Sequence, residues 1–280
     1  MKTKIIIDST TNIKKELMGQ FGVVPLTVHF GDSEFVDGVT ITHTEFYERL
    51  ENGGVLPTTS QPTPQAFINA FKAAVDEGYQ VVAITVASKL SGTYQSACIA
   101  AEDFGDDVIV VDSESVTIGA GLLAEMALEM AKQNKSAAEI AQFINEEKKN
   151  VNIMAVLDTL EYLKKGGRVS SAVALAGGLL NIKPVAAIEK GEIKMAGKAR
   201  GNKLGNAVML QQISGMGGID YSKPFMLGYT GVNDLLLKEF IAENRKYFEA
   251  DTLHQSFVGS VVGTHAGPGA IAVAFCAKQQ

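Results

Sequence analysis

Ser91 and Gly92 lie between an apolar run and a stretch that predicts a helix, where unpaired main-chain amides could bind a ligand. Residues 81–86 are rich in β-branched side chains and predict one buried strand, while residues 96–102 predict a helix. The first amides of such a helix lack intrahelical partners, and the helix dipole is positive there. A glycine admits a ligand to the backbone and the hydroxyl adds a donor, so the turn fits a small anion. Ser91 also fits a simple helix cap followed by a turn glycine.

A second group of hydroxyls lies within residues 57–64, between prolines that stiffen the backbone. Thr63 and Pro64 fit the cap and the first position of a following helix. Thr59 and Ser60 precede this cap. Their hydroxyls are either donors held ready for a ligand or groups on a rigid connector that face water, and the residues leave both interpretations open.

Charge is distributed unevenly along the chain, whose net charge is −6. This acidic balance argues against general nucleic-acid binding. Residues 164–203 nevertheless contain nine basic and two acidic side chains, a net charge of +7 that leaves −13 for the rest. Two of the four arginines, Arg168 and Arg200, fall in this segment. A local basic patch indicates an anionic partner surface or an anionic ligand.

Length and composition narrow the class of protein further. A chain of 280 residues predicts two domains, and its two cysteines and four histidines form no metal-binding pattern. The first apolar run is too short for a signal peptide, and no stretch approaches the ~20 apolar residues of a membrane span. We therefore expect a cytoplasmic protein without an integral membrane segment. No phosphate-binding glycine motif supports a nucleotide-using enzyme.

Strands and helices alternate over residues 1–150 and predict an N-terminal α/β domain with a parallel sheet. Predicted strands cover residues 5–10, 23–28, 81–86 and 107–113. Asp8, at the end of the first strand, fits a turn or capping carboxylate better than a nucleophile. Capping sequences start helices after Thr42, Thr63 and Ser136.

Residues 151–280 follow a different pattern. A strand over 152–157 precedes a short helix that residues 158–161 cap and that Gly166 and Gly167 end. Residues 185–195 predict a hairpin, and the strands 225–230 and 271–276 bracket a helix whose apolar face includes Leu235, Leu236 and Phe240. We expect a C-terminal α+β domain with a largely antiparallel sheet covered by helices.

Five segments together resemble the DegV-type fatty-acid-binding proteins. The segments are Asp-Ser-Thr-Thr at 8–11, Thr-Ser-Gln-Pro at 59–62, Leu-Ser-Gly-Thr-Tyr-Gln-Ser-Ala at 90–97, Leu-Glu-Tyr-Leu-Lys-Lys-Gly-Gly-Arg at 160–168, and Gly-Thr-His-Ala-Gly-Pro-Gly-Ala at 263–270. Each segment is a weak signal alone. Their order and spacing across nearly the whole chain make the resemblance specific.

The resemblance implies a bacterial carrier that holds a long-chain fatty acid in a buried tunnel between two domains. Such a carrier presents the acyl carboxylate to a separate fatty acid kinase, which makes acyl phosphate for phospholipid synthesis, and it needs no cofactor or metal. The residues that the resemblance implies for the carboxylate are Thr59, Ser60, Ser91 and His265, and the turn position adds Gly92. Those implied for docking the kinase are Arg168 and Arg200.

Two other interpretations remain. Ser91 as nucleophile and His265 as base would make a serine hydrolase or acyltransferase. The sequence indicates no third, orienting acid, and Ser91 lacks the G-x-S-x-G elbow. A structural or regulatory protein that binds lipid adventitiously is the other interpretation.

Overall fold

A computed structural model describes residues 2–169 and 181–278 of the chain, which form three β-sheets with flanking helices. The strands are β1 Lys2–Asp8, β2 Gly22–Val24, β3 Thr27–Phe30, β4 Ser33–Val36, β5 Thr58–Ser60, β6 Tyr79–Thr85, β7 Val108–Asp112, β8 Val151–Val156, β9 Ile182–Glu189, β10 Glu192–Arg200, β11 Met226–Tyr229, β12 Gln255–Phe257 and β13 Ile271–Cys276. The α-helices are α1 His43–Glu51, α2 Pro64–Asp76, α3 Thr93–Ala101, α4 Thr117–Lys132, α5 Ala137–Glu147, α6 Glu161–Gly166, α7 Asn202–Gly215, α8 Leu235–Asn244 and α9 Ser260–Ala266. Short 3-10 segments cover Lys15–Gln20, Glu102–Asp107 and Arg245–Tyr247.

The first sheet is parallel throughout, in the order β2-β1-β6-β7, as the alternation of strands and helices predicts. Helices α2 and α4 cover its two faces, so the side chains that alternate along each strand are buried on both sides. Ile6 packs with Phe67 of α2 on one face, while Ile5 and Ile7 pack with Leu122 of α4 on the other. The capping boxes that begin α1 and α5 are both formed.

A small antiparallel sheet in the order β4-β3-β5 was not predicted. The prediction of one strand over residues 23–28 is wrong, since Pro25 separates β2 in the parallel sheet from β3 in the small one. Proline has no amide to donate and fixes its own φ, so the chain changes sheets there. The segment before Thr63, for which no strand was predicted, contains β5, which pairs with β3.

The third sheet has six strands in the order β10-β9-β8-β13-β11-β12 and is antiparallel except for its β11–β12 pair. This agrees with the predicted α+β half and its hairpin. Two local predictions are partly wrong. Helix α8 buries Leu237 and Phe240, while Leu235 is 59% exposed. Asp158 pairs with Lys183 and does not cap α6, whose first amide is bonded by the Thr159 hydroxyl.

Helix α4 joins the two large sheets into one core. It packs against β1 of the parallel sheet and against β8, β11 and β13 of the six-stranded sheet. The predicted domain boundary near residue 150 stays a prediction, and residues 170–180 and 279–280 of the predicted second domain lie outside the described part. Among the helices that the structure describes, none combines the length and apolarity needed to cross a membrane.

Candidate functional site

A cavity of about 420 Å³ lies between the carboxyl ends of the parallel strands and one face of the six-stranded sheet. Its volume falls within the range of small-molecule sites. Aliphatic side chains form most of the wall, including Val86 after β6, Val116 before α4 and Val261 on α9. Such a wall suits an apolar ligand or the apolar part of an amphipathic one.

The cavity floor is a row of small residues that crosses four adjacent strands. Ala186, Ala155, Ala272 and Gly228 are successive cross-strand partners on β9, β8, β13 and β11, and all four line the cavity. Neighbouring strands lie about 4.8 Å apart, so the row spans roughly 14 Å. Ile118 of α4 lies over Gly228, with its Cδ1 3.1 Å from the position that a Cβ at that glycine would take. The floor is therefore a narrow trough that one alkyl chain could follow.

Polar side chains gather in another part of the lining. Predicted site residues Thr59, Ser60, Ser91 and His265 all line the cavity there, as does Arg168. Thr59, Ser91 and His265 are partly buried, whereas Ser60 and Arg168 are exposed. The cluster therefore runs from the interior of the cavity to its mouth.

His265 and Thr59 form the inner part of this cluster. The Nε2 atom of His265, in the last turn of α9, lies 3.1 Å from the Thr59 hydroxyl on β5. Burial, with a smaller contribution from the positive charge of Arg168, lowers the pKa of His265 to about 4. The imidazole is therefore neutral at pH 7. Its Nδ1 is buried and has no hydrogen-bond partner among the described residues.

Gly166, at the end of α6, lets His265 sit close to the backbone. A Cβ at Gly166 would lie 2.1 Å from the imidazole Nδ1, far inside any real contact distance. The Gly166-Gly167 pair was predicted only to end a helix. The structure adds a second reason for glycine at the first of the two positions, because only a residue without a side chain leaves room for the ring.

Ser91 sits in the turn between β6 and α3, as predicted. Its hydroxyl lies 2.8 Å from that of Thr93 and accepts a longer hydrogen bond of 3.3 Å from the Thr93 amide. Asp8 holds the base of this turn by accepting hydrogen bonds from the amides of Val86 and Thr10. Burial raises the pKa of Asp8, which is fully enclosed and does not line the cavity. Asp8 thus supports the turn structurally.

Gly92 contacts a residue that sequence reasoning did not single out, Gln61. A Cβ at Gly92 would lie 2.1 Å from Gln61 Oε1, and Gln61 Nε2 donates a hydrogen bond of 2.9 Å to the Ser96 hydroxyl on α3. Gln61 therefore fastens the segment carrying Thr59 to the turn carrying Ser91. Its place in the Thr-Ser-Gln-Pro segment was the available signal. Gly92 is required for this close approach whether or not its amide contacts a ligand.

The two predicted docking arginines lie in different places. Arg168 lines the cavity mouth, and its guanidinium donates to the carbonyl oxygens of Leu90 and Gly166. Arg200 ends β10 and is exposed. Glu192 begins that strand and pairs with Lys89 beside the Ser91 turn, so eight residues of strand carry Arg200 roughly 25 Å away from it. The docking role of both arginines stays a prediction.

A metal centre finds no support in the described residues, where no three His, Cys, Asp or Glu side chains are grouped to hold an ion. The available ligand-binding groups are hydroxyls, backbone amides, a neutral imidazole and one guanidinium. This set fits an oxyanion, and the adjoining apolar trough fits a hydrocarbon chain.

A family model described as "Uncharacterised protein, DegV family" matches residues 2–278. The chain belongs to the DegV family. A DegV domain-containing protein of Caldanaerobacter subterraneus subsp. tengcongensis is 36% identical over 277 residues, which cover 98% of each chain. The resemblance of the five segments is thereby confirmed.

Solved DegV structures share the whole fold. One from Thermus thermophilus, described as a fatty-acid-binding DegV family protein, has a TM-score of 0.88 and 30% identity, covering 99% of this chain and 100% of its own. A DegV lipid-binding protein from Thermotoga maritima has a TM-score of 0.88 and 28% identity, with both chains fully covered. The two-sheet arrangement around the cavity thus belongs to a known DegV fold.

Proposed function

We propose that this protein binds a long-chain fatty acid, with the alkyl chain in the trough and the carboxylate at the Thr59–Ser91–His265 cluster. The observation that carries the proposal is the cavity itself, whose floor is apolar and whose wall carries the polar Thr59–Ser91–His265 cluster. A carboxylate removed from water is unfavourable unless several donors bond it. The two hydroxyls and the imidazole supply such donors. The related Thermus thermophilus and Thermotoga maritima proteins, described as fatty-acid-binding and lipid-binding, also support this ligand class.

Burial of the tail would supply most of the affinity. Each methylene transferred from water contributes at most about 0.8 kcal/mol, before the cost of ordering the ligand. The small residues of the floor leave room for the chain to lie across the strands. A tail of this kind would explain why alanine stands at position 155, between Ile153 and Leu157, which line the same cavity.

We further propose that the protein is a non-catalytic carrier in the bacterial cytoplasm that presents the carboxylate to a separate fatty acid kinase. The kinase would transfer the γ-phosphoryl group of ATP to a carboxylate oxygen and release ADP. The exposed position of Ser60 and Arg168 supports access to the carboxylate from outside. The basic segment 164–203 and the resemblance of the five segments support an acidic protein partner.

Mass spectrometry of lipid extracted from the purified protein tests the ligand, and we expect long-chain fatty acids in about equimolar amount. Delipidated protein is then titrated with palmitate by calorimetry. Protein that neither retains nor rebinds a fatty acid would contradict the proposal. Acyl phosphate formed only when carrier, ATP and a DegV-dependent fatty acid kinase are all present would support the kinase partnership.

A serine enzyme is less well supported by the same contacts. His265 faces Thr59, and the Ser91 hydroxyl faces Thr93, so the proposed base is not bonded to the proposed nucleophile. Among the described residues, neither side chain is hydrogen-bonded to an orienting carboxylate. A serine-directed phosphonate should therefore leave the protein unlabelled, and stoichiometric labelling of Ser91 would restore the hydrolase interpretation.

A further inference from the structure

Helix α9, which carries His265, begins without a capping side chain of its own. The residue before it is Gly259, which has no side-chain acceptor for the first amides of the helix. Those amides lack intrahelical partners, and a buried amide without a partner is unfavourable. Ser260, the first residue of α9, is only 1% exposed. The partner of its amide must therefore come from another part of the chain.

Asp37, in the turn between β4 and α1, supplies that partner. Its carboxylate accepts hydrogen bonds from the hydroxyl and the amide of Ser260, and another from the Ser9 hydroxyl. Asn12 adds a longer contact, since its Oδ1 accepts a bond of 3.4 Å from the Gly259 amide. The start of α9 is thus bonded to side chains from the N-terminal half of the chain.

The Asp37 carboxyl group is buried, at 6% exposure, and does not line the cavity. Burial raises its pKa because the charged form loses water. Burial raises the pKa of Asp8 as well, and the nearby charge of Asp37 adds to that rise. A carboxyl group in this place is unfavourable unless hydrogen bonds offset the lost hydration. The bonds from Ser9 and Ser260 are the contacts that do so.

The contacts of Asp37 connect two parts of the ligand site. Asp37 follows β4, and Thr59 lies on β5 of the same small sheet. Helix α9 carries Val261 and His265, which both line the cavity, and His265 lies within hydrogen-bonding distance of Thr59. Ser260 precedes His265 by five residues, about 7.5 Å along a helix. Bonding Ser260 to Asp37 therefore fixes α9 to the sheet that carries Thr59.

Packing alone would not fix the helix in the same way. A Cβ at Gly263 would lie 2.4 Å from the Tyr47 hydroxyl oxygen, so α9 lies very close to α1 there. Apolar packing limits the distance between two elements but is not directional. Hydrogen bonds are directional, so the bonds between Asp37 and Ser260 also determine where the helix starts along its own axis.

We propose that Asp37 is a positioning residue of the ligand site, which caps α9 and so holds His265 opposite Thr59 in the geometry that binds the fatty carboxylate. This inference rests on the proposed function. Asp37 acts through the helix and does not contact the ligand. Its loss should therefore change the site even in a protein that is still folded.

The test compares Asp37→Ala with Ser136→Ala, which removes the cap of a helix outside the site. Ser136 caps α5 by accepting a bond from the Glu139 amide, and no residue of α5 is among the described residues that line the cavity. Both variants should melt at a lower temperature than the parent. Calorimetry with palmitate is done on delipidated protein at a temperature where all three proteins are folded. We expect binding about fivefold or more weaker for Asp37→Ala, and within about twofold of the parent for Ser136→Ala.

The imidazole of His265 gives a readout that a loss of stability alone would not move. Its ring resonances are assigned by comparing NMR spectra of the parent and His265→Gln, and are then followed in delipidated protein. We expect them to shift in Asp37→Ala and to stay in place in Ser136→Ala. Asp37→Asn keeps one oxygen acceptor for the Ser260 amide. It should therefore fall between the parent and Asp37→Ala in both measurements.

The proposal would be overturned if either the palmitate affinity or the imidazole resonances of Asp37→Ala equalled those of Ser136→Ala. If Asp37→Ala does not fold, Asp37→Asn is compared with Ser136→Ala instead, and the same equality would overturn the proposal. A parent protein that fails to bind palmitate would count against the proposed function itself. The imidazole resonances would still report whether Asp37 positions His265.

Discussion

The inner cluster of the cavity consists of neutral hydrogen-bonding side chains. Thr59, Ser91 and His265 can each bond a carboxylate without introducing a buried charge of their own. A neutral imidazole also avoids the desolvation penalty that a buried imidazolium would carry when the ligand leaves. The empty and the occupied cavity can therefore both remain stable, as the proposed carrier role requires.

Ser91→Ala should weaken palmitate binding, because one hydrogen bond to a charged group is lost. The expected cost is roughly 1.5–3 kcal/mol of binding free energy, with little change in the melting temperature. Calorimetric titration of delipidated protein measures it. Ser88→Ala, in the same loop but outside the cavity lining, is the control. An affinity of Ser91→Ala that equals that of Ser88→Ala would remove Ser91 from the site.

His265 should make the free energy of unfolding depend on pH. The folded protein keeps the His265 pKa at about 4, against 6.5 for an ordinary histidine. As the pH falls from about 6.5 to about 4, the unfolded chain binds a proton that the folded chain does not, so stability falls. Above pH 6.5 this contribution is complete and constant.

Urea unfolding of the parent and of His265→Gln across this pH range isolates the effect. Carboxyl groups contribute equally to both proteins, so the difference between the two curves reports His265. We expect His265→Gln to lose less stability than the parent on acidification. Parallel curves would show that the imidazole titrates like that of an unfolded chain.

The sequence predicted the ligand-binding side chains of this site but not the contacts that hold them in place. Ser91, Thr59 and His265 stand in segments whose residue types and resemblance indicate ligand binding, and the structure places all three on one cavity. The contacts of Gly92 with Gln61 and of Gly166 with His265 join segments far apart in the chain. No local pattern encodes such a contact, because a glycine in a turn is equally well explained by backbone conformation.

The junction between β5 and the start of α3 holds the two hydroxyl-bearing segments together. Gly92→Ala should displace Gln61, break its bond to Ser96 and separate the two hydroxyl-bearing segments. Forcing an extra methyl into a packed contact typically costs about 1–3 kcal/mol of stability. We also expect weaker palmitate binding, measured by titration at a temperature where the variant is folded.

Gly215→Ala provides the control for Gly92→Ala. Gly215 ends α7, has an ordinary backbone conformation, and would give its Cβ no neighbour within 4 Å. Alanine there should be neutral or stabilise by up to about 1 kcal/mol. Equal behaviour of the two variants in stability and palmitate binding would mean that Gln61 does not fasten the segments.

Elements with strong local signals were predictable from the sequence, and those that depend on partner strands were not. Capping boxes at Thr42 and Ser136 are local, and both helices begin there. Strands β3, β4 and β5 are three or four residues long and carry mixed polar side chains. Their pairing depends on contacts across the chain, so the hydrophobic pattern alone could not reveal the small sheet.

The trough depends on how the two large sheets pack together. The six-stranded sheet forms its floor, and residues that follow the parallel strands enclose it from the other side. Ala272→Leu should fill the middle of the row and shorten the space for the alkyl chain. Excluding two or three methylenes would cost about 2 kcal/mol of palmitate binding. Mass spectrometry of copurified lipid should then show shorter acyl chains than in the parent.

Ala138→Leu, on the exposed side of α5, adds the same atoms outside the cavity and should change neither the lipid profile nor the affinity. An unchanged profile for Ala272→Leu in a folded protein would place the alkyl chain elsewhere than in the trough. The alkyl chain would then have to follow another path between the two halves of the chain.

Arg200 is expected to contribute to docking of the lipid-bound protein to the proposed kinase. It is exposed at the far end of β10, well separated from the cavity mouth, so Arg200→Ala should leave palmitate affinity intact. Exposed charges mainly steer association and are screened by salt. We therefore expect kinase-coupled turnover to fall about threefold to tenfold at low salt, with a weaker salt dependence than in the parent. Arg200→Glu should be slower still because it adds repulsion.

Lys72→Ala removes an equal charge from α2 and controls for net charge. Turnover and salt dependence of Arg200→Ala that match those of Lys72→Ala would exclude Arg200 from the docking surface.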